Sequence, residues 1–111
     1  MYSMKTKNSK IGIKNKTKKR RQSLKIKILN SKNFSKEINK KPTIVMFHAT
    51  WCGYCKQMYP KFRKMSLKNK NNTQYAKVDG TKNPNLLLKY NISGFPTFIL
   101  FKNGKHKEIY L

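Results

Sequence analysis

The chain has 111 residues, of which 27 are lysine or arginine and three are aspartate or glutamate, giving a formal net charge of +24. This length favours one domain, and no segment approaches the roughly 18 consecutive apolar residues that a transmembrane helix requires. Two cysteines are too few for a disulfide framework, and two histidines in no finger-like spacing argue against a zinc site.

The first 22 residues, Met1 to Gln22, are basic and contain no acidic residue. Because large apolar residues are scarce there, we predict a disordered arm that could bind nucleic acid or an acidic partner. Lysine outnumbers arginine 24 to 3, so compositional bias accounts for the charge as well as selection for phosphate binding does. The segment lacks the apolar stretch of a secretory signal peptide. We therefore expect a cytoplasmic protein that is not secreted, with nuclear or virion association as alternatives.

Residues 23–111 are predicted to form one folded domain. Residues 24–28 alternate apolar side chains with lysine, as a half-buried strand does, and residues 33–39 follow as a short helix. Residues 43–49 are apolar on both faces, which indicates a buried central strand. A helix then begins at Cys52, and its predicted core face has apolar residues spaced three or four apart. These are Cys55, Met58, Tyr59, Phe62 and Met65.

The second half of the domain is predicted to contain three strands and one helix. The strands are residues 74–78, 97–101 and 106–111. Pro84 is well placed as the first residue of a helix over 85–90, and Asn103-Gly104 is a two-residue hairpin signal. The resulting order is βαβαβαββ. Crossovers through helices give parallel pairs and the hairpin adds an antiparallel pair, so we expect a mixed sheet in an α/β fold.

The most informative motif is the cysteine pair Cys52 and Cys55, which follows the strand 43–49. A cysteine at the start of a helix faces unpaired backbone N–H groups and the positive end of the helix dipole, which stabilise a thiolate. Cys55 lies one turn further along the same face, within reach of a disulfide to Cys52. Such a pair between a strand and a helix indicates redox chemistry.

Several motifs of the thioredoxin family occur in this sequence in the order in which the family has them, and the resemblance covers roughly residues 24–111. The motifs that carry the resemblance are Trp51-Cys52-Gly53-Tyr54-Cys55-Lys56, Pro60, Lys77, Gly94-Phe95-Pro96-Thr97 and Phe101-Lys102-Asn103-Gly104. The resemblance implies a thioredoxin-like three-layer fold. It also implies a thiol–disulfide oxidoreductase that uses the Cys52–Cys55 disulfide and requires no organic cofactor or metal.

The resemblance also implies roles for individual residues. Cys52 would be the attacking thiolate and Cys55 the resolving thiol. Trp51, Phe95 and Pro96, whose peptide bond is expected to be cis, would bind an extended substrate segment. The supporting residues are Gly53, Tyr54 and Lys77. The implied partners are disulfide-containing proteins and an unidentified reductase or thiol pool.

The sequence departs from the family pattern beside the cysteines. Met46 occupies the position, six residues before the first cysteine, where many relatives have a buried acid. His48 shares a strand face with Met46, so it is a candidate replacement proton acceptor, along with water near Lys77; a packing role for His48 is the alternative. The dipeptide between the cysteines is Gly53-Tyr54 rather than Gly-Pro, and both a reductase and an isomerase or oxidase-type potential stay open.

The sequence ends at Leu111, without the C-terminal helix of the family. We therefore expect that apolar surface near Met58, Phe62 and the final hairpin is either exposed or covered by a partner, by a second copy of the chain or by the basic arm. Two further alternatives to an enzyme remain: a redox-fold binding module that the arm tethers to nucleic acid, and an interaction protein with vestigial cysteines.

Overall fold

The computed structural model describes residues 26–69 and 71–111, so the basic segment Met1 to Gln22, with its predicted disorder and partners, lies outside the described residues. Five strands are described: β1 Ile26–Leu29, β2 Thr43–His48, β3 Gln74–Asp79, β4 Thr97–Lys102 and β5 Lys105–Ile109. The α-helices among these residues are α1 Phe34–Ile38, α2 Gly53–Lys68 and α3 Pro84–Lys89, and Gly80–Lys82 form a 3-10 turn. The predicted order βαβαβαββ is confirmed.

The strands form one mixed sheet in the order β1-β3-β2-β4-β5. The central strand β2 runs parallel to β3, with Met46 opposite Lys77 and His48 opposite Asp79, and antiparallel to β4. The predicted α/β class with a mixed sheet is therefore confirmed. Because β2 is covered on both faces, its apolar residues need not alternate with polar ones.

One face of the sheet packs against α1 and α3. The buried core on this face comprises Leu29, Phe34, Val45, Phe47, Ala76, Val78, Leu86, Ile99 and Phe101. Phe34 lies among three rings, with centroid distances of 6.0 Å to Phe47, 5.6 Å to Tyr90 and 5.4 Å to Phe101. Tilted and edge-on rings at these distances are favourable, so this short helix is held mainly by its packing.

The opposite face packs against α2, and the five predicted core residues of this helix all lie in that layer. Phe62 is completely buried, with ring centroids 5.5 Å from Tyr75 and 5.4 Å from Phe98. Phe62 itself is thus not part of an exposed apolar surface, whereas Tyr110, directly after β5, is 84% exposed. Ile109 and Leu111 also pack against this layer, and within the described ranges no helix follows β5.

The turn between β4 and β5 has the conformation that its sequence predicts. Asn103 and Gly104 have φ values of 54° and 75°, so both central residues are in the left-handed region. Turns of this type match the twist of two paired strands, and asparagine and glycine are the residues that tolerate them. The hairpin prediction is confirmed, and it aligns Phe98 with Ile109.

Candidate active site

Cys52 lies at the N-cap of α2, directly after the turn that follows β2. Its backbone is extended, at φ −83° and ψ 108°, and its sulfur accepts a hydrogen bond from the backbone N–H of Cys55 at 3.1 Å. This is the bond by which an N-cap side chain satisfies a free helical N–H group. The sulfur of Cys52 therefore lies at the electropositive end of the helix.

Cys55 lies behind Cys52 and is more deeply enclosed. Only 4% of its surface is exposed, and both cysteines are free thiols in this structure. Burial, followed by the hydrogen bond with the Cys52 sulfur, raises the pKa of the Cys55 thiol from 9.0 to about 11. Cys55 is thus a neutral thiol at neutral pH, and it must lose a proton before it can act as a nucleophile.

The raised pKa of Cys55 predicts that only one cysteine of the reduced protein is alkylated. At pH 8, iodoacetamide should modify Cys52 and leave Cys55 largely unmodified. The rise in the pKa of Cys55 from 9.0 to about 11 lowers its thiolate fraction about a hundredfold. Mass spectrometry of the intact protein and of its peptides measures this outcome. Equal labelling of both cysteines under native conditions would contradict the arrangement.

The loop between α3 and β4, which contains Phe95 and Pro96, approaches Cys52. The Phe95–Pro96 peptide bond is cis, and the carbonyl oxygen of Phe95 lies 3.8 Å from the Cys52 sulfur. Trp51 packs edge-on against the Phe95 ring at a centroid distance of 6.0 Å, yet 71% of its surface is exposed. Tyr54, on the first turn of α2, is also exposed. The dithiol therefore opens onto a surface lined by aromatic rings.

Gly80 is a site residue that the sequence analysis missed. A Cβ atom at this position would lie 2.5 Å from Cε1 of Phe95 and 3.0 Å from Leu87. The absence of a side chain at Gly80 thus makes room for the Phe95 ring beside the dithiol. Its only sequence signal is a glycine directly after a strand, which is common in turns and names no contact.

Behind Cys55 lies a cavity of about 390 Å³, here called the rear cavity. Its lining residues are Met46, His48, Ala49, Thr50, Cys55, Lys56, Tyr59, Pro60 and Lys77. The ammonium of Lys77 lies 4.7 Å from the centre of the Tyr59 ring. The structure thus brings His48, which shares a strand face with Met46, and Lys77, which pairs with Met46 on the neighbouring strand, to the resolving cysteine. None of the described lining residues of this cavity is acidic.

His48 is a titratable group of the rear cavity whose pKa is lowered by its surroundings. Partial burial lowers the pKa of His48 below 6.5, the positive charge of Lys77 lowers it further, and Asp79 opposes both effects. The imidazole is therefore neutral at neutral pH and has a free nitrogen to accept a proton.

Within residues 26–69 and 71–111, no three His, Cys, Asp or Glu side chains lie close enough together to hold a metal ion.

A family model described as Thioredoxin matches residues 25–111. The chain belongs to the thioredoxin family. It is 44% identical over 69 residues to chloroplastic thioredoxin Y of Oryza sativa subsp. japonica, which covers 62% of this chain and 41% of that protein. It is 40% identical over 81 residues to protein disulfide-isomerase of Oryctolagus cuniculus, covering 69% of this chain and 16% of that protein. The predicted family is confirmed.

Solved structures agree with this membership. A crystal structure of thioredoxin from Schistosoma mansoni matches with a TM-score of 0.69 and 35% identity, covering 79% of this chain and 83% of that one. The first thioredoxin domain of mouse protein disulfide-isomerase A4 matches with a TM-score of 0.67 and 32% identity, over 75% of this chain and 62% of that one. The chain spans 41%, 39% and 38% of three chloroplastic thioredoxins that it matches.

The predicted cytoplasmic location is wrong. Four of the similar thioredoxins are named as chloroplastic proteins. The charge and polarity of residues 1–22 argued only against a secretory signal and do not specify a compartment. None of the helices in the described ranges combines the length and apolar character that a membrane crossing needs.

Proposed function

We propose that this thioredoxin-family chain is a thiol–disulfide oxidoreductase that reduces or exchanges disulfides in protein substrates. The observation that carries the proposal is the sulfur of Cys52 at the N-cap of α2, with Cys55 one turn behind it. The Cys52 thiolate attacks a substrate disulfide, forms a mixed disulfide and releases one substrate thiolate. Cys55 then loses its proton and attacks the Cys52 sulfur, which releases the second substrate sulfur and leaves a Cys52–Cys55 disulfide.

Two electrons move from the dithiol to the substrate in each cycle. A reductase or a thiol pool must return them, and the Cys52–Cys55 pair itself carries them, so the proposed chemistry uses no organic cofactor or metal. The exposed rings of Trp51 and Tyr54 and the Phe95-Pro96 segment form the proposed substrate surface, on which an extended chain would pair with the Phe95 backbone. Gly53 has open space around it, which leaves room for that chain.

The direct test is turnover of insulin disulfides, with the potential of the pair measured against glutathione. The reduction potential is about −270 mV for thioredoxin and about −180 mV for protein disulfide isomerase. A potential near the lower value supports a reductase, and one near the higher value supports exchange or oxidation. A protein that reduces no disulfide contradicts the proposal in either form.

We further propose that His48 accepts the proton of Cys55 across the rear cavity. The family acid is replaced by Met46, and the three acids of the sequence, Glu37, Asp79 and Glu108, do not line this cavity. The cavity is large enough to hold water that links the two groups. Lys77, which also lines it, would stabilise the Cys55 thiolate as it forms.

This role predicts a specific pH dependence. In the native protein, resolution of a mixed disulfide should slow as pH falls through the lowered pKa of His48, because an imidazolium cannot accept a proton. His48→Phe should lower the rate at neutral pH about tenfold to a hundredfold and should remove this inflection. Stopped-flow measurement of mixed-disulfide resolution between pH 5 and 8 provides the test.

The matched control is His106→Phe. His106 is the other histidine of the sequence, and it lies on the exposed hairpin, with its ring 5.2 Å from that of Tyr90. This variant should keep the native pH profile. If His48→Phe also keeps that profile, His48 is a packing residue and the proposed proton transfer is wrong.

A further inference from the structure

The ends of β1, β3 and β2 form a second recess on the side of the dithiol opposite the Phe95-Pro96 segment. This recess, here called the basic groove, has a volume of about 660 Å³ and shares His48 and Lys77 with the rear cavity. Its other lining residues are Ile28, Leu29, Asn30, Ser31, Lys32, Asp79, Lys82 and Asn83. The groove thus adjoins the cavity behind Cys55, yet the chemistry proposed above uses only the two residues that line both.

The lysines of this region form no ion pair within the described residues. Together the groove and the rear cavity are lined by four lysines, Lys32, Lys56, Lys77 and Lys82. Within the described ranges, the ion pairs join Lys27 and Lys40 to Glu37. Asp79 is the one acid of the groove, and it accepts hydrogen bonds from the backbone N–H and the hydroxyl of Thr81 at 3.0 and 2.6 Å. Since the sequence has three acids against 27 lysines and arginines, an acidic partner would supply the counter-charge that these lysines lack.

The groove also presents apolar surface between its charges. The side chain of Ile28 is 73% exposed there, so an occupant must offer apolar as well as acidic groups. Nucleic acid fits less well, because single strands bind through aromatic rings on which bases stack. None of the described lining residues of the groove is Phe, Tyr or Trp, and the Tyr59 ring of the adjoining rear cavity is already covered by the Lys77 ammonium. An acidic polypeptide satisfies both requirements.

The sheet order sets the distance between the groove and the reacting sulfur. The dithiol follows β2, while β3 is its neighbour and β1 lies one strand beyond. Strands lie about 4.8 Å apart, so the groove extends about 5 to 10 Å from the end of β2. An extended polypeptide advances about 3.3 Å per residue. That span corresponds to about two or three residues of an extended substrate.

We propose that the basic groove binds an acidic segment of the substrate, with Asp or Glu at about the second and third positions from the cysteine that joins Cys52. This inference rests on the oxidoreductase activity proposed above and names the class of protein on which it acts. The Phe95-Pro96 segment would hold the substrate backbone on one side of the dithiol. Lys32 and Lys82 would pair with its carboxylates on the other side.

The test uses the full chain, a chemical dithiol as electron donor and three disulfides. Two are peptides that differ only in having two Glu or two Gln at those positions, and the third is neutral 2-hydroxyethyl disulfide. The native protein should show a kcat/KM about fivefold higher for the Glu peptide, and this preference should fade in about 0.5 M salt. The double variant Lys32→Gln/Lys82→Gln should lose the preference and keep its rate with the neutral disulfide.

A matched control removes the same charge elsewhere. Lys102→Gln/Lys105→Gln lies on the exposed hairpin, where the two lysines are paired across the strands, and it should retain the preference. Equal rates for both peptides, with normal reduction of the neutral disulfide, would overturn the groove proposal and leave the oxidoreductase intact. Failure with all three disulfides would overturn both. Equal peptide rates, with oligonucleotide binding lost in Lys32→Gln/Lys82→Gln, would assign the groove to nucleic acid instead.

Discussion

Cys52→Ser should lower disulfide-reductase activity by at least about a thousandfold, because a hydroxyl at the N-cap of α2 cannot replace the thiolate that attacks the substrate. The fold should persist, since serine is a favourable N-cap residue and can accept the same hydrogen bond from the Cys55 N–H. Turnover of insulin disulfides measures the loss. An unfolding transition close to that of the native protein excludes a structural cause.

Cys55→Ser is the matched variant and should fail at a different step. Cys52 can still attack, but no second sulfur lies behind it to release the substrate, so a stable mixed disulfide should accumulate. Non-reducing electrophoresis and mass spectrometry detect this species as a covalent adduct through Cys52. If Cys52→Ser retained activity, or if Cys55→Ser formed no adduct, the assignment of attacking and resolving sulfurs would be wrong.

Phe62→Ala should destabilise the protein by about 3 to 5 kcal/mol, because it removes the ring that joins α2 to the sheet. The side chain is completely buried between Tyr75 and Phe98. It lies about two and a half turns along α2, which begins at Gly53. A domain of this size shifts its Tm by about 4 to 8 °C per kcal/mol, so thermal unfolding followed by circular dichroism resolves the effect.

Leu88→Ala is the control for this prediction. Leu88 is 84% exposed on α3, and its truncation should change the free energy of unfolding by less than about 0.5 kcal/mol. Similar losses for the two variants would mean that the layer between α2 and the sheet is not the stabilising core. In that case α2 would not be fixed firmly enough to hold its N-terminus beside the Phe95 loop.

Local patterns were sufficient to predict the elements of this fold. The continuous apolar run of β2, the three- and four-residue spacing along α2 and the Asn103-Gly104 turn each have one strongly preferred conformation. The cysteine pair was predicted equally well, because its place between β2 and α2 and its spacing both follow from the chain. The family was then inferred from the order of several motifs, none of which is specific by itself.

Contacts between distant segments could not be predicted in the same way. Gly80 makes room for Phe95 only because two loops that are separate in sequence meet at one edge of the sheet. The complete burial of Phe62 likewise depends on distant segments, since Tyr75 and Phe98 close over it from β3 and β4. The predicted cellular location was also wrong, because the charge of a basic segment does not specify a compartment.

The sequence by itself determined the strand and helix order, the position of the two sulfurs and the excess of lysine, since each depends on local conformation or on composition. Only the tertiary structure decided what surrounds the sulfurs. Parallel pairing of β2 with β3 places Met46 and His48 beside Lys77, and the addition of β1 extends that row into the basic groove. Such neighbours depend on strand order and register, which are set by packing of the whole sheet and not by any one segment.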